Sequence, residues 1–196
     1  ERDVWLNDLY PKIYEIWKWI QNASKNDIDG LPKLDKKGDT LESCKSLSDP
    51  ERWLLGFATG VGRAQPSNKV TAFAEKKSGT KQIRKALHRL CGRIKHWTIT
   101  NYQYIEIPNQ VATWHIDPPY MGYGKHYVHS DKGIDFEALG GWCKERMGQV
   151  MVCEGSGATW LPFKPLTPKM RRLQRKDAYF EVVYYQSDKK TGLGLF

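Results

Sequence analysis

Strands alternating with helices predict an α/β fold for this chain of 196 residues. Three observations carry the prediction. Apolar residues recur at helical spacing in two places, as Ile13, Ile16, Trp17 and Ile20 and again as Ile83, Leu87 and Leu90. Short apolar or alternating runs lie at residues 4–6, 96–99, 112–116, 150–153 and 180–185. The composition, 40% hydrophobic and 12% aromatic, supplies one sizeable core and excludes a disordered chain. The length suits one domain carrying an insertion better than two full domains.

In chain order, Val4-Trp5-Leu6 reads as a strand, Asn7-Asp8 as a turn or cap, and Pro11 as the first turn of a helix. Residues 22–50, with Asp27-Ile28-Asp29-Gly30 and Lys36-Lys37-Gly38-Asp39, read as connection or insertion. Ser48-Asp49-Pro50-Glu51 starts a helix that leads into Trp53-Leu54-Leu55. Residues 62–82 form a basic, loop-rich surface, followed by a helix over Gln82–Leu90 with its basic side outward. The later strands enclose one more helix candidate at 135–144, weakened by Gly140-Gly141. No internal repeat is present.

Lys and Arg outnumber Asp and Glu by 31 to 22, a net charge of +9 that draws polyanions, so nucleic acid is the first partner to consider. Cys44, Cys91, Cys143 and Cys153 show neither a CxxC pair nor the spacing of a disulfide scaffold, and read as reduced, mostly buried thiols. There is no apolar run of membrane-spanning length, and Glu1-Arg2-Asp3 is no signal peptide start. These features predict a cytoplasmic protein with no membrane partner. His and Cys show no zinc-ligand spacing, so no metal is expected, and His115 reads as a strand residue.

The sharpest local signal is His115-Ile116-Asp117-Pro118-Pro119-Tyr120, a strand that runs into an acid, two prolines and an aromatic. Ligands of open α/β sheets sit beyond the carboxyl ends of strands. The prolines stiffen the loop and restrict Asp117. An exocyclic amine on a nucleobase is a poor nucleophile because its lone pair is delocalised into the ring. A carboxylate and an adjoining carbonyl can accept its two hydrogens and aim the lone pair at a methyl donor. Asp117 and the Pro118 carbonyl suit that task, and Tyr120 can stack on a base flipped from the duplex. The bland alternative is a Pro-rich turn with a conveniently placed Asp.

On these residues and over nearly its whole length the chain resembles the DNA adenine methyltransferases of the Dam-like group, particularly phage and prophage forms. The resemblance implies a three-layer, Rossmann-like S-adenosylmethionine-dependent methyltransferase sheet with an inserted target-recognition region. The catalytic core would be residues 1–30 and 95–196, and the insertion residues 31–94. It implies methyl transfer from S-adenosylmethionine by Asp117, Pro118, Pro119 and Tyr120 to the adenine N6 amine, with no metal. In Leu6-Asn7-Asp8, Asp8 stands where the family's acid binds the ribose hydroxyls of the cofactor. Tyr102-Gln103-Tyr104 stands where a Gly-Asp-aromatic step contacts its adenine, with Gln103 in place of the acid; a core aromatic is the competing reading of Tyr104. Asp117 also adjoins the cofactor.

Met121-Gly122-Tyr123-Gly124-Lys125-His126-Tyr127 matches a family lid or base-pocket wall, with Lys125 and His126 for phosphates and Tyr123 and Tyr127 for a base. A glycine-rich surface loop is the alternative. Arg63, Lys69, Lys76, Lys77, Lys81, Arg84 and Arg89 lie where the family reads DNA, with a solvated charged face as the alternative. The family's Phe-x-Gly-x-Gly-like cofactor loop would precede residue 1, so a preceding segment or a second chain is expected to supply it. Gly56-Phe57-Ala58-Thr59-Gly60-Val61-Gly62 resembles that loop superficially but follows the acidic strand.

The resemblance suggests a bacterial or phage-infected cell and a phage or restriction-modification setting. Three rivals remain. The same loop type serves the cytosine N4 amine, although Ser at its first position is commoner there. A fragment or inactive descendant could bind DNA without catalysis. An RNA-methylating enzyme is less favoured.

Overall fold

The computed structural model describes residues 2–60, 63–76, 79–166 and 180–187. It is an α/β protein with parallel and mixed sheets, and the chain divides into two compact units, residues 1–103 and 104–196.

The first unit opens with β1 (Trp5–Asn7) and α1 (Pro11–Asn22). Pro11 sits in the first helical turn, where its missing N–H costs nothing. Ile16 and Ile20 are buried, with Ile13 and Trp17 packed beside them, as their spacing predicts. Residues 22–50, expected as connection, contain a further helix, α2 (Lys25–Gly30). Its signal is local: Ser24 Oγ accepts the Asp27 amide at 3.2 Å, and the Asp27 carboxylate accepts the Ser24 amide at 2.8 Å. α3 (Asp49–Thr59) starts where Ser48-Asp49-Pro50-Glu51 places it, with the Glu51 carboxylate accepting the Ser48 amide at 2.8 Å.

The stretch expected as loop at 62–82 holds α4 (Ala72–Lys76), and α5 (Gly79–Leu90) begins three residues earlier than its apolar spacing shows. The hidden start has a cause in Thr80, fully buried, whose hydroxyl donates to Asp35 at 3.0 Å and accepts the Leu34 amide at 3.1 Å. Leu87 is buried on α5, with Ile83 and Leu90 packed on the same core. β2 (Thr98–Thr100) pairs in parallel with β1, Leu6 opposite Ile99. It begins later than the expected 96–99 because buried Gln21 donates to the carbonyls of Ile94, Lys95 and Trp97 and holds them as a turn.

The second unit holds β3 (Ala112–Ile116), α6 (Phe136–Glu145), β4 (Gly148–Gly155), β5 (Lys164–Pro165) and β6 (Glu181–Gln186). The sheet order is β3-β4-β6-β5. β3 and β4 are parallel across the α6 crossover, as parallel pairing requires, while β6 runs antiparallel to β4 and β5. The four strand runs expected from residue 96 onward are all strands. They lie in two sheets among the described residues, β2 beside β1 and the other three together with β5.

α6 forms despite its glycine pair. The Asp135 carboxylate caps it by accepting the Ala138 amide at 2.9 Å, and Gly140 lets the Trp160 carbonyl approach to where a side chain's Cβ would sit 2.9 Å away. Leu139 and Cys143 of α6 bury against Val150 and Val152 of β4. The Trp142 ring meets the edges or faces of Tyr104 at 5.3 Å and Trp114 at 5.7 Å, with the Arg146 guanidinium 4.1 Å over it.

Candidate active site

β3 ends at Ile116, so Asp117 is the first residue beyond the carboxyl end of a strand that pairs in parallel with β4. The pleat turns Trp114 and Ile116 toward the core, leaving Thr113, His115 and Asp117 on the exposed alternation. Asp117 is exposed, and Pro118, Pro119 and Tyr120 are half-buried. The Tyr120 phenol lies within electrostatic reach of the Asp117 carboxylate. Burial, then the nearby Asp117 and Glu181 carboxylates, push that phenol well above its ordinary range. It is a neutral hydrogen-bond donor at physiological pH.

The loop continues into a tight turn. The Tyr123 amide donates to the Tyr120 carbonyl at 2.9 Å, and Gly122 takes φ +79°, which suits glycine. The Gly122 amide donates to Asp131 Oδ2 at 2.8 Å. Gly124 is buried so closely that a Cβ there would lie 2.9 Å from the Pro119 and Asp131 side chains. The segment 121–127, which reads as mobile from its glycines, is therefore folded back and tied to Asp131. Tyr123 and Tyr127 remain about half exposed, at 53% and 54%, and Lys125 and His126 are exposed beside them.

A residue the sequence reading passed over anchors the loop. Glu154, near the end of β4, is fully buried, and its carboxylate accepts three N–H groups. They are the Gly155 amide at 2.7 Å, the Met121 amide at 3.1 Å and the Trp160 indole at 2.9 Å. A signal for it exists: Val150 and Val152 face inward, so strand alternation points residue 154 inward too. A carboxylate at an inward strand position needs partners.

His115 Nε2 lies 3.7 Å from Cys153 Sγ, whose thiol is pushed up by burial and then by Asp117 and Glu181. Burial pushes the Cys143 thiol up to about 12. Both are protonated thiols at neutral pH. Cys143 is buried and the other three cysteines are half-buried, all of them free.

The cofactor candidates differ in their surroundings. Asp8 follows β1 directly, and its Oδ1 accepts the Tyr10 amide at 2.8 Å; its own amide donates to the Thr100 carbonyl. Asn7 ties the same strand ends together, accepting the Tyr102 amide at 2.8 Å and donating to the Tyr102 carbonyl at 3.0 Å. Gln103 is exposed. Tyr104 is half-buried and packs edge-on against Trp142 at the margin of its unit's core, and its phenol is raised by burial and by Asp135 and Cys143. Gly56 lies inside α3 and Gly60 just beyond it, and the first packs where a Cβ would meet Pro66 at 2.6 Å. These glycines bring the 66–67 segment against a helix and form no cofactor loop. Val61 and Gly62 lie outside the described residues.

Of the basic residues read as DNA contacts, Arg63, Lys69, Lys76, Lys81 and Arg89 are exposed, and Lys77 lies outside the described residues. Arg84 is half-buried, and its guanidinium donates to the carbonyls of Leu31 and Asp29, so it staples α5 to the end of α2. Beside it a shallow hollow is lined by Lys33, Lys81, Lys85, His88 and Asp35. Lys33 and Lys85 join the basic surface that sequence reasoning outlined.

Among the described residues no group of three or more His, Cys, Asp or Glu side chains is placed to hold a metal ion, and no helix is long and apolar enough to cross a membrane. No protein-family model and no curated protein matches the chain.

Proposed function

We propose that this chain is a DNA methyltransferase that transfers a methyl group from S-adenosylmethionine to the N6 amine of a flipped adenine. The observation that carries the reading is the position of Asp117, exposed as the first residue beyond the carboxyl end of β3, with the Tyr120 phenol close enough to feel its charge. That position supports Asp117 as an acceptor open to an amine N–H of a base. Asp117 and the Pro118 carbonyl accept the two amine hydrogens, which draws the nitrogen toward tetrahedral geometry and frees its lone pair. Tyr120 stacks on the extruded ring.

S-adenosylmethionine, when bound, supplies an electrophilic methyl on a sulfonium, and the proton lost from the amine passes by way of Asp117 to solvent. Asp8, a carboxylate at the end of a parallel strand, suits ribose hydroxyls, and exposed Gln103 can hydrogen-bond an adenine. The fit is partial, because the Tyr104 ring is packed on Trp142.

The finer fold in this reading is the three-layer methyltransferase sheet, with residues 31–94 reading the DNA target. The setting is the cytoplasm of a bacterium or a phage-infected cell. Arg63, Lys69, Lys76, Lys81 and Lys125 contact phosphates, while Tyr123 and Tyr127 line the base pocket.

The test is transfer of labelled methyl from S-adenosylmethionine to duplex DNA by the full chain and by Asp117→Ala. Turnover falls at least about a hundredfold in the variant while DNA affinity stays within about twofold, since Asp117 acts on the reacting amine. Equal turnover in the two proteins removes Asp117 from the mechanism.

A further inference from the structure

We infer that Glu154 is the positioning residue of the Asp117-Pro118-Pro119-Tyr120 loop, a buried carboxylate that fixes the loop's exit and the strap at 155–160 from one point. The inference rests on reading that loop as the methyl-transfer site. Both carboxylate oxygens are committed as acceptors: Oε1 to the Met121 and Gly155 amides, Oε2 to the Trp160 indole and, at 3.3 Å, to Met121 again. Either orientation of a glutamine amide would set its NH2 group against one of these N–H donors. The site asks for a carboxylate, not for a polar side chain of that size.

Cost argues in the same direction. A buried carboxylate is expensive, and its alternation partners Val150 and Val152 show that an apolar residue fits this face. Glu154 is placed where its partner is the amide one residue past Tyr120. The loop is thereby held on both sides, by β3 before Asp117 and by Glu154 after Tyr120, and Gly124 closes against Pro119. A Tyr120 carbonyl that also accepts the Tyr123 and Gly124 amides completes the clamp. Asp117 and Tyr120 lie between the two anchors, which is the pre-organisation that a positioned acceptor requires.

The test pairs two variants of the full chain. Glu154→Gln keeps the size and loses the acceptor pattern. Met121→Pro keeps the carboxylate and removes one donor, at the second position of a turn where proline is favoured. Backbone amide exchange and the kinetics of methyl transfer to adenine-containing duplex DNA are measured for each. In Glu154→Gln the Met121 and Gly155 amides exchange about tenfold faster or more, while the amides of α6 stay within about twofold. Turnover falls about tenfold or more with KM for DNA within about twofold. Met121→Pro reproduces the fall in turnover with the Gly155 amide still slow.

Unchanged Met121 exchange and unchanged turnover in Glu154→Gln overturn the inference, as does faster exchange spread evenly over α6 and β4, the mark of a core residue only. Should Glu154→Gln not fold, Met121→Pro decides alone: full turnover in that variant overturns the inference. If the wild-type chain transfers no methyl group, the methyltransferase reading fails, while the exchange pattern still decides whether Glu154 holds the loop.

Discussion

The Tyr120 phenol lies beside the Asp117 carboxylate, whose charge, after burial, helps keep the phenol protonated. The ring and the hydroxyl of Tyr120 then have separable effects. Tyr120→Phe keeps the stacking surface, so turnover stays within about threefold of wild type, whereas Tyr120→Ala loses about tenfold or more of turnover as the base loses its platform. Steady-state kinetics on one duplex check both, and equal losses in the two variants would assign the effect to the hydroxyl. The raised phenol adds a pH expectation. Its neutral form persists above its ordinary titration range, so ionisation of Tyr120 produces no fall in turnover as pH rises from 7 to 10. A fall that disappears in Tyr120→Phe would contradict this. Glu154 belongs to the same scale: one inward carboxylate decides whether the loop is a fixed turn or a loose one.

At the scale of elements, the structure separates basic residues that build from those that present charge. Arg84 spends its donors on the carbonyls of Leu31 and Asp29, while Lys81, one turn earlier on α5, is exposed. Arg84→Ala therefore lowers stability by about 1–3 kcal/mol, leaving two carbonyls without their partner, and Lys81→Ala leaves stability unchanged but weakens DNA binding. Thermal denaturation and DNA titration of the two variants distinguish these roles; a stable Arg84→Ala with weakened DNA binding would reverse the assignment. Leu87, nearly fully buried on the inner side of α5, costs about 2–5 kcal/mol when cut to alanine.

The same elements show what was legible in the chain. α1, the inner face of α5 and the strands β3 and β6 follow from apolar periodicity, because burial imposes a 3.6- or 2-residue repeat on the side chains themselves. The end of β3 at Ile116 and the turn after Asp117 were legible because two prolines directly after an apolar strand cannot continue it. α2 and the start of α5 were not, since they depend on Ser24 pairing with Asp27 and on Thr80 meeting Asp35, 45 residues away. Tyr104 illustrates the limit. An aromatic beside a strand suits a cofactor or a core equally well, and the contact of a half-buried Tyr104 with Trp142 is a tertiary fact its own sequence neighbours do not carry.

For the whole molecule, the net charge of +9 gives an expectation independent of any single contact. If Arg63, Lys69, Lys76, Lys81 and Lys125 each neutralise a phosphate, the logarithm of DNA affinity falls with the logarithm of salt at a slope of roughly −4 to −5. Removing one of them flattens the slope by roughly 0.9. Titrations over a range of potassium chloride measure it, and a slope near zero would remove nucleic acid as the partner. A basic surface alone is equally at home on a DNA-binding module, so the salt slope does not separate a binding module from an enzyme. Methyl transfer lost in Asp117→Ala with the salt slope unchanged would separate them.

The most direct test of the central claim is to incubate the full chain with S-adenosylmethionine and mixed-sequence duplex DNA, digest the DNA and identify the modified nucleosides by mass. N6-methyladenine, absent with Asp117→Ala, is the predicted result. N4-methylcytosine would keep the loop's chemistry and change its base, whereas DNA bound without any methylated nucleoside would contradict the claim that this chain is a methyltransferase.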